Sequence, residues 1–404
     1  VQGEESSDSF SVEIEGVGTF YDGFLRYRIN SSYTTPTDEW EFVVYSDDNP
    51  GALRDRWRPW QPVKLYINGC CQVIGRIDRI QGIKGTTALK VMGRDYLADI
   101  VDSTMDPTYQ VGAGMTIGEM ILEVFKPWGI TGVLSDGGLT RDIRTGKQPY
   151  QPDPLDLEQL RLEDLRAEEN QGVMEFASRI VARHGFTIQP AGTRDTVLIV
   201  RPQYAQPALY PLERPGNIHE AIADRNYTNV PTVTLGRGRA GGNKHQVGGS
   251  RSVFPTFSGG APSSIGTLRE VLAITTADNN LAVTRELRYD PKKGDNTVYG
   301  YTPPVYKPLF FRDKDSRNDA QVERAVRRMV AERLRETLSY NVEVRGHSES
   351  TSGAVWALDT IAQVNDSLEQ VREPLWIADR TFYDDGTSGP MTEMLALRPE
   401  SYVY

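Results

Sequence analysis

The two ends of this chain repeat one order of strand and turn, and that order constrains the fold more than any other feature. Near the N-terminus, residues 63–67 alternate apolar and polar side chains and run into Asn68-Gly69. Residues 73–78 make a second run. After a polar turn, residues 86–96 make a third. At the C-terminus, residues 359–364 run into Asn365-Asp366, residues 375–383 follow, Asp384-Asp385-Gly386 makes a turn, and residues 391–399 close the pattern. Asn-Gly suits a two-residue hairpin because both positions tolerate positive φ. Alternating runs separated by such turns predict antiparallel meanders at both ends. Gly93 and Gly386 are expected to mark corresponding sheet corners, where a missing Cβ relieves crowding. Two similar units per chain let three chains close a ring of six.

Between the ends the period changes. Thr116 and Glu119 have the spacing of a capping box, and Ile117, Met120, Ile121, Val124 and Phe125 form one apolar helical face ended by Pro127. A polar insert with Pro149, Pro152 and Pro154 follows, then an acidic stretch, 156–169, read as helical. Val173, Phe176, Ala177, Ile180 and Val181 mark a second helix, to about His184, with Gly185 as its C-cap. Residues 186–189 and 196–200 make a hairpin. Residues 204–318 show short β runs at 232–235 and 283–287 around a Gly-, Ser- and Pro-rich stretch, 236–266. Residues 319–338 carry a helical apolar face from Val322 to Leu338. The organisation expected is a first β-barrel domain at 1–107, an α/β domain at 108–203, an irregular β domain at 204–318, and a linking helix with a second β-barrel domain at 319–404.

Charge and side-chain inventory narrow the function. The net charge of −10 is uneven: residues 1–107 hold 17 acids and 11 bases, and residues 340–404 hold 11 acids and 4 bases. Both β-rich ends are acidic, which opposes a phosphate-binding surface there. Cys70 and Cys71 are neighbours, a poor geometry for a disulfide, and no His stands near enough to complete a zinc site. The four histidines are scattered, so each reads as satisfied or exposed. Gly236-Arg237-Gly238-Arg239-Ala240-Gly241 matches a dinucleotide fingerprint, but the glycine-rich residues after it will not open the helix that such a site needs. Trp57 and Trp60 read as core or interface aromatics. No apolar run approaches the ~18 residues of a membrane span. No catalytic residue, no metal ligand set and no cofactor is expected.

Three ordered blocks carry a resemblance. The first runs from Pro36-Thr37-Asp38-Glu39-Trp40 through residues 63–67 and Gly75-Arg76-Ile77-Asp78 to Gly93-Arg94-Asp95-Tyr96. The second runs from Gly172 through Ala182-Arg183-His184-Gly185-Phe186 to Pro202. The third runs from Arg324 through residues 342–346, Ala354-Val355-Trp356 and Leu375-Trp376-Ile377-Ala378 to Leu397-Arg398-Pro399-Glu400-Ser401-Tyr402. Together they resemble the baseplate hub proteins of contractile-tailed phages, the Mu-type, late-control-D-like family, related in fold to the hub part of VgrG proteins. The matching motif positions are Gly75, Asp78, Gly93, Arg94, Asp95, Trp356, Trp376, Pro399 and Tyr402. The insert at 135–168 is longer than the family pattern, and Ala357-Leu358-Asp359 stands where that pattern often has Pro-Gly.

The resemblance implies an α+β, β-rich chain with two similar antiparallel β-barrel domains, forming a pseudo-sixfold ring as a homotrimer. It implies a structural role in the virion, assembled in the bacterial cytoplasm, adapting a sixfold tail tube to a threefold spike. The implied partners are further copies of itself, the central spike, the tail tube or a distal tube-initiator protein, and possible tape-measure and wedge proteins. DNA would pass through without specific binding. A tail-associated peptidoglycan hydrolase and a glycan-binding tail protein are the competing readings.

Overall fold

The computed structural model describes residues 8–45, 56–112, 114–135, 166–183, 186–204, 206–226, 228, 233–237, 272–274, 283–290, 295–299, 308–312, 333, 337–350 and 352–399. The chain divides into two compact units, one of residues 1–223 and 339–399, the other of residues 224–338 and 400–404.

The first unit is dominated by a thirteen-stranded sheet. Its N-terminal strands are β1 (Phe10–Ile14), β2 (Gly18–Phe20), β3 (Phe24–Ser32), β4 (Glu39–Val44), β5 (Pro62–Ile67), β6 (Cys70–Gly82) and β7 (Leu89–Asp95). After β7 come the short helix α1 (Ala98–Val101), α2 (Ile117–Phe125), β8 (Gly132–Ser135), α3 (Val173–Arg183), β9 (Thr187–Pro190) and β10 (Thr196–Val200). The large sheet resumes with β11 (Ala208–Arg214) and β12 (Ile218–Arg225). Following β13 (Val233–Arg237), β14 (Leu272–Ile274), β15 (Val283–Asp290), β16 (Asp295–Tyr299) and β17 (Pro308–Arg312), it is completed by β18 (Leu338–Arg345), β19 (Ile361–Asp366), β20 (Pro374–Asp384) and β21 (Pro390–Leu397).

Strand order in the large sheet repeats. One run is β3-β4-β7-β6-β5-β1 and the other is β12-β18-β21-β20-β19-β11. Taken pairwise, the two runs list strands in the same chain order. Both central meanders are antiparallel throughout. The registers also agree. On β6 the ladder to β7 shifts between Ile77 and Arg79, leaving Asp78 bulged; on β20 the ladder to β21 shifts between Ile377 and Asp379, leaving Ala378 bulged. A bulge raises local twist and bends its strand, so each meander coils at the same point. The repeats differ at one flank: β1 runs antiparallel to β5, whereas β11 runs parallel to β19. β11 and β12, read from sequence with the irregular β region, are strands of this sheet.

The Asn68-Gly69 hairpin forms as expected, with φ of 51° and 74°. In the α/β layer, Thr116 and Glu119 make the reciprocal capping box of α2, and the apolar face of α2 packs with that of α3 in one buried cluster. The α-helix stops at Phe125, ahead of Pro127 as expected, and Pro127 sits in a 3-10 turn, Lys126–Trp128, which closes on left-handed Gly129 at φ 81°. β9 and β10 form the expected hairpin, and β8 adds a parallel strand beside β10. Of the insert, residues 166–169 are not helical; 136–165 lie outside the described residues.

In the second unit β13 pairs in parallel with β17, and β14, β15 and β16 form an antiparallel sheet. Most of the Gly-rich stretch, the dinucleotide-like motif after Arg237, and the helix expected at 319–338 lie outside the described residues, although Leu338 itself begins β18 rather than ending a helix.

The expectation that Gly93 and Gly386 correspond is corrected by register. Gly93 lies inside β7 opposite Ile77, and its counterpart opposite Ile377 is Ala396. Gly386 occupies the turn between β20 and β21 at φ 78°, and its analogue is Gly85, at φ 79°, between β6 and β7. The two glycines have different causes: one relieves interstrand crowding, the other supplies a left-handed turn. A Cβ on Gly93 would stand 2.1 Å from the Arg76 carbonyl oxygen and 2.3 Å from Trp40 Cζ2. Gly93→Ala is therefore expected to cost about 3 kcal/mol by overpacking. Ala396→Gly should cost only about 1 kcal/mol, from backbone entropy. Urea denaturation of the two variants checks the asymmetry.

Candidate functional site: two bulge clusters and the seam between them

The sequence-selected residues of the first repeat gather where β6, β7 and α1 meet. Gly75 and Gly93 let the two strands close: a Cβ on Gly75 would lie 2.1 Å from the Arg94 carbonyl oxygen. Trp40, opposite Gly93 on β4, covers the gap with its indole. In the second repeat the same pair is Tyr340 opposite Ala396, again a large ring over a small residue. The bulge turns Asp78 toward two guanidinium groups. Arg94 Nε donates to Asp78 at 2.8 Å, and its terminal nitrogens donate to Asp102 at 3.0 and 2.6 Å. The Asp102 hydrogen bond, followed by Asp78, holds the Arg94 guanidinium above its ordinary pKa. Arg76 pairs with Asp78 at 3.4 Å and with Asp99, and lies 3.8 Å from the centroid of the Trp60 ring. Trp57 is a core residue, as the sequence suggested, while Trp60 is 71% exposed.

Asp95 has a different task. Its side chain accepts from the backbone N–H of Asp38 and of Leu97, both at 2.9 Å. It thereby ties the β3–β4 connection to the start of α1.

Trp356 and Trp376 belong to the second repeat and do not meet the first cluster. Trp376 Nε1 donates to the Asp359 carboxylate, which also accepts from Gln203 N at 2.9 Å. Trp356 packs against Tyr210, with centroids 4.8 Å apart, and its carbonyl accepts from Arg380 at 2.6 Å. Pro399 lies just beyond β21, half-buried. Tyr402 lies outside the described residues.

A third locus links the repeats. β20 pairs with β3 from Asp379↔Ser32 to Asp384↔Tyr27. Side chains repeat the join: Ser32 donates to Asp379 at 2.5 Å, Thr381 donates to Asn30 at 3.0 Å, and Tyr33 meets Trp376 edge-on at 5.2 Å. At one end of this seam His347 is 0% exposed. Tyr27 donates its hydroxyl to His347 Nε2 at 2.7 Å. Thr392 donates to the Gly346 carbonyl at 2.7 Å, so its oxygen accepts from His347 Nδ1–H at 3.1 Å. Asp8 ties both repeats together, accepting from Asn68 Nδ2 at 2.6 Å and from His347 N at 2.8 Å. Sequence reading missed Asp8, Tyr27, Asp359 and Arg380. Only Tyr27 carried a signal, as an inward position of an alternating strand.

No protein-family model and no curated protein matches the sequence. Solved structures do match the fold. The 43 kDa tail protein of prophage MuSo2 from Shewanella oneidensis is 16% identical, with a TM-score of 0.65 over 98% of this chain and 99% of that one. A tail protein from Neisseria meningitidis MC58 is 17% identical, with a TM-score of 0.64 over the same shares. Prophage tail protein gp18 from Listeria monocytogenes EGD-e is 10% identical, with a TM-score of 0.53 over 97% and 94%. The fold is that of phage tail proteins. The match runs through nearly the whole chain, so the tail-protein fold includes both strand repeats and the α/β layer between them. Among the described residues, no group of three His, Cys, Asp or Glu side chains could hold a metal ion, and no helix is long and apolar enough to cross a membrane.

Burial lowers the His347 pKa from 6.5 to about 4, and the nearby Asp8 charge opposes that shift only in part. The neutral imidazole is what the Tyr27–Thr392 pair binds. Its stabilisation is complete above pH 6.5 and is lost as pH falls from 6.5 through 4, because the unfolded chain takes up the proton first. The expected loss across that window is about 3 kcal/mol. Denaturation at pH 7 and pH 4.5 should show it, and His347→Gln should flatten the difference.

Proposed function

We propose that this chain is a structural baseplate hub subunit of a contractile phage tail. Three copies, each supplying two β units, close a pseudo-sixfold ring that adapts a sixfold tail tube to a threefold spike. The observation that carries this reading is the repeated strand order with matching bulges, β4-β7-β6-β5 and β18-β21-β20-β19, joined through β3 and β20 in one sheet. A chain with two like units is the economical way to present six like surfaces on a threefold axis. In this reading each repeat closes as a barrel. Stacking of Phe10 on Tyr27, with centroids 4.2 Å apart, brings β1 and β3 together across the first repeat and supports closure there. The fold shared with the prophage tail proteins supports a place in the virion tail.

The partners in this role are two further copies, the spike protein, the tail tube or a tube-initiator protein, and the tape-measure and wedge proteins. The chain acts without catalysis. The prediction is a particle of three times the 45.2 kDa protomer mass by native mass spectrometry, and threefold placement in a map of the assembled tail. Twofold or true sixfold placement would overturn it.

The acidic excess of both ends has a use in a ring that DNA traverses. An acidic wall repels phosphates, so the genome slides without sticking. Replacing several lumen-facing Asp or Glu by Lys is expected to slow DNA ejection, more at low salt than at high salt, since screening weakens the new attraction. A salt-independent defect would instead mark misassembly.

A further inference from the structure

The internal seam provides a template for a contact between chains. β20 uses both flanks. β21 pairs along one side, while the other side is shared, by β19 up to Trp376 and by β3 from Asp379 to Asp384. β6 is its counterpart by register. β7 pairs along one side, and β5 with the two residues before it takes the other side as far as Ile77. Among the described residues, no strand pairs with residues 79–82 of β6 on the side away from β7. That flank is where β20 receives β3.

The counterpart of β3 is β12, which neighbours β18 as β3 neighbours β4. β12 ends the sheet, and among the described residues no strand pairs with its outer side, where the Ala223 N–H donates to the Glu369 carboxylate at 3.2 Å. It is eight residues long, has no proline, and leaves Ile222 69% exposed. The opposite end of the sheet is different: β2 is only three residues long, a common way to blunt an edge. An eight-residue edge strand, held on its outer side by the Glu369 side chain and, among the described residues, by no strand, is a template for pairing. Charge fits as well. β12 presents Glu220 and Asp224 against one arginine, Arg225, while the β6 flank presents Arg79 and, just beyond it, Lys84; all five are exposed.

We propose that β12 of one copy pairs antiparallel with residues 79–82 of β6 in the next copy, repeating between chains the β3–β20 junction found within one. The proposal rests on the ring reading above and specifies which edges close the ring. Each chain then offers one β12 edge and one β6 flank, so three copies leave neither open.

Cysteine cross-linking tests it, in full-length protein carrying Cys70→Ser and Cys71→Ser. Ala223→Cys or Asp224→Cys is combined in turn with Gln81→Cys, Gly82→Cys or Ile83→Cys, which samples the register of the β3–β20 junction, where Ala223 faces Gly82, together with both faces and adjacent registers. At least one pair is expected to give a covalent trimer on mild oxidation, with neither of its single variants cross-linking, because paired strands hold Cα atoms within disulfide reach. Native mass spectra of unoxidised protein are read in parallel. Trimers without any cross-link would overturn the edge pairing and leave the ring reading standing. Monomers without cross-links at the highest attainable concentration would overturn both. A ladder running past three chains would support the edge pairing and overturn the threefold ring. A charge swap is independent of oxidation. Asp224 lies diagonal to Arg79 on one face in that register, so Asp224→Lys should weaken self-association about tenfold at low salt, and Arg79→Glu added to it should restore association; failure of that rescue in folded protein counts against the pairing.

Discussion

Everything in the large sheet depends on one strand being able to serve three neighbours. β20 does so because Ala378 is bulged: the ladder to β21 slips by one residue there, and the strand bends away from β19 just where β3 takes over the same flank. Without the bulge, β19 and β3 would compete for one straight edge. The residue at the bulge is small, and Ala378 also gives its carbonyl to Tyr33 N at 2.8 Å, so the extra residue is used rather than left unpaired. The equivalent bulge on β6 holds Asp78, whose side chain gathers Arg76 and Arg94. One backbone device thus carries an internal seam in one repeat and an ion-pair cluster in the other.

The seam is more polar than a core needs to be. Arg380 is buried and reaches the Trp356 carbonyl, His347 is buried between Tyr27 and Thr392, and Asp359 is buried beneath Trp376. Burying such groups is costly, and apolar replacements of like volume are often neutral or stabilising. What an apolar seam lacks is register. A slip of one residue between β3 and β20 would turn each inward side chain outward, and with only methyl groups in contact the penalty would be diffuse. Here a slip breaks specific bonds: Thr381 to Asn30, Ser32 to Asp379, and Tyr27 to His347.

Local chemistry was readable in the sequence and non-local pairing was not. Asn68-Gly69 and the Thr116–Glu119 box came out as expected because each is fixed by residues within four positions of one another. The three-strand meanders were legible for the same reason. β11 and β12 were not assigned to the second repeat because the whole second unit separates them from β18 in the chain, and short alternating runs carry no mark of distant partners. β8 is four residues long and gains its place only by pairing with β10, more than sixty positions later. Gly93 and Gly386 were equated because a sequence does not distinguish a glycine needed for close approach from one needed for positive φ. The seam was the least legible part: His347 stands in a polar stretch with no periodicity, and Asp8 acts on groups 60 and 339 positions away.

The two repeats agree in their central meanders and differ elsewhere. Their central meanders share strand sense, register and bulge position. Their far flanks differ in the sense of the first strand, antiparallel for β1 and parallel for β11. Their interiors differ in side-chain size, Trp40 over Gly93 in one and Tyr340 over Ala396 in the other. A large-for-small exchange of this kind keeps interstrand volume roughly constant, which cores tolerate far better than a change in total volume. A mismatch at a joining edge has no such compensation, because backbone N–H and C=O groups have fixed spacing and an unmet one in a buried seam costs about 1–3 kcal/mol. Quasi-equivalent units can therefore drift in their cores and still join, provided that the strand flanks on either side of the bulge stay in register.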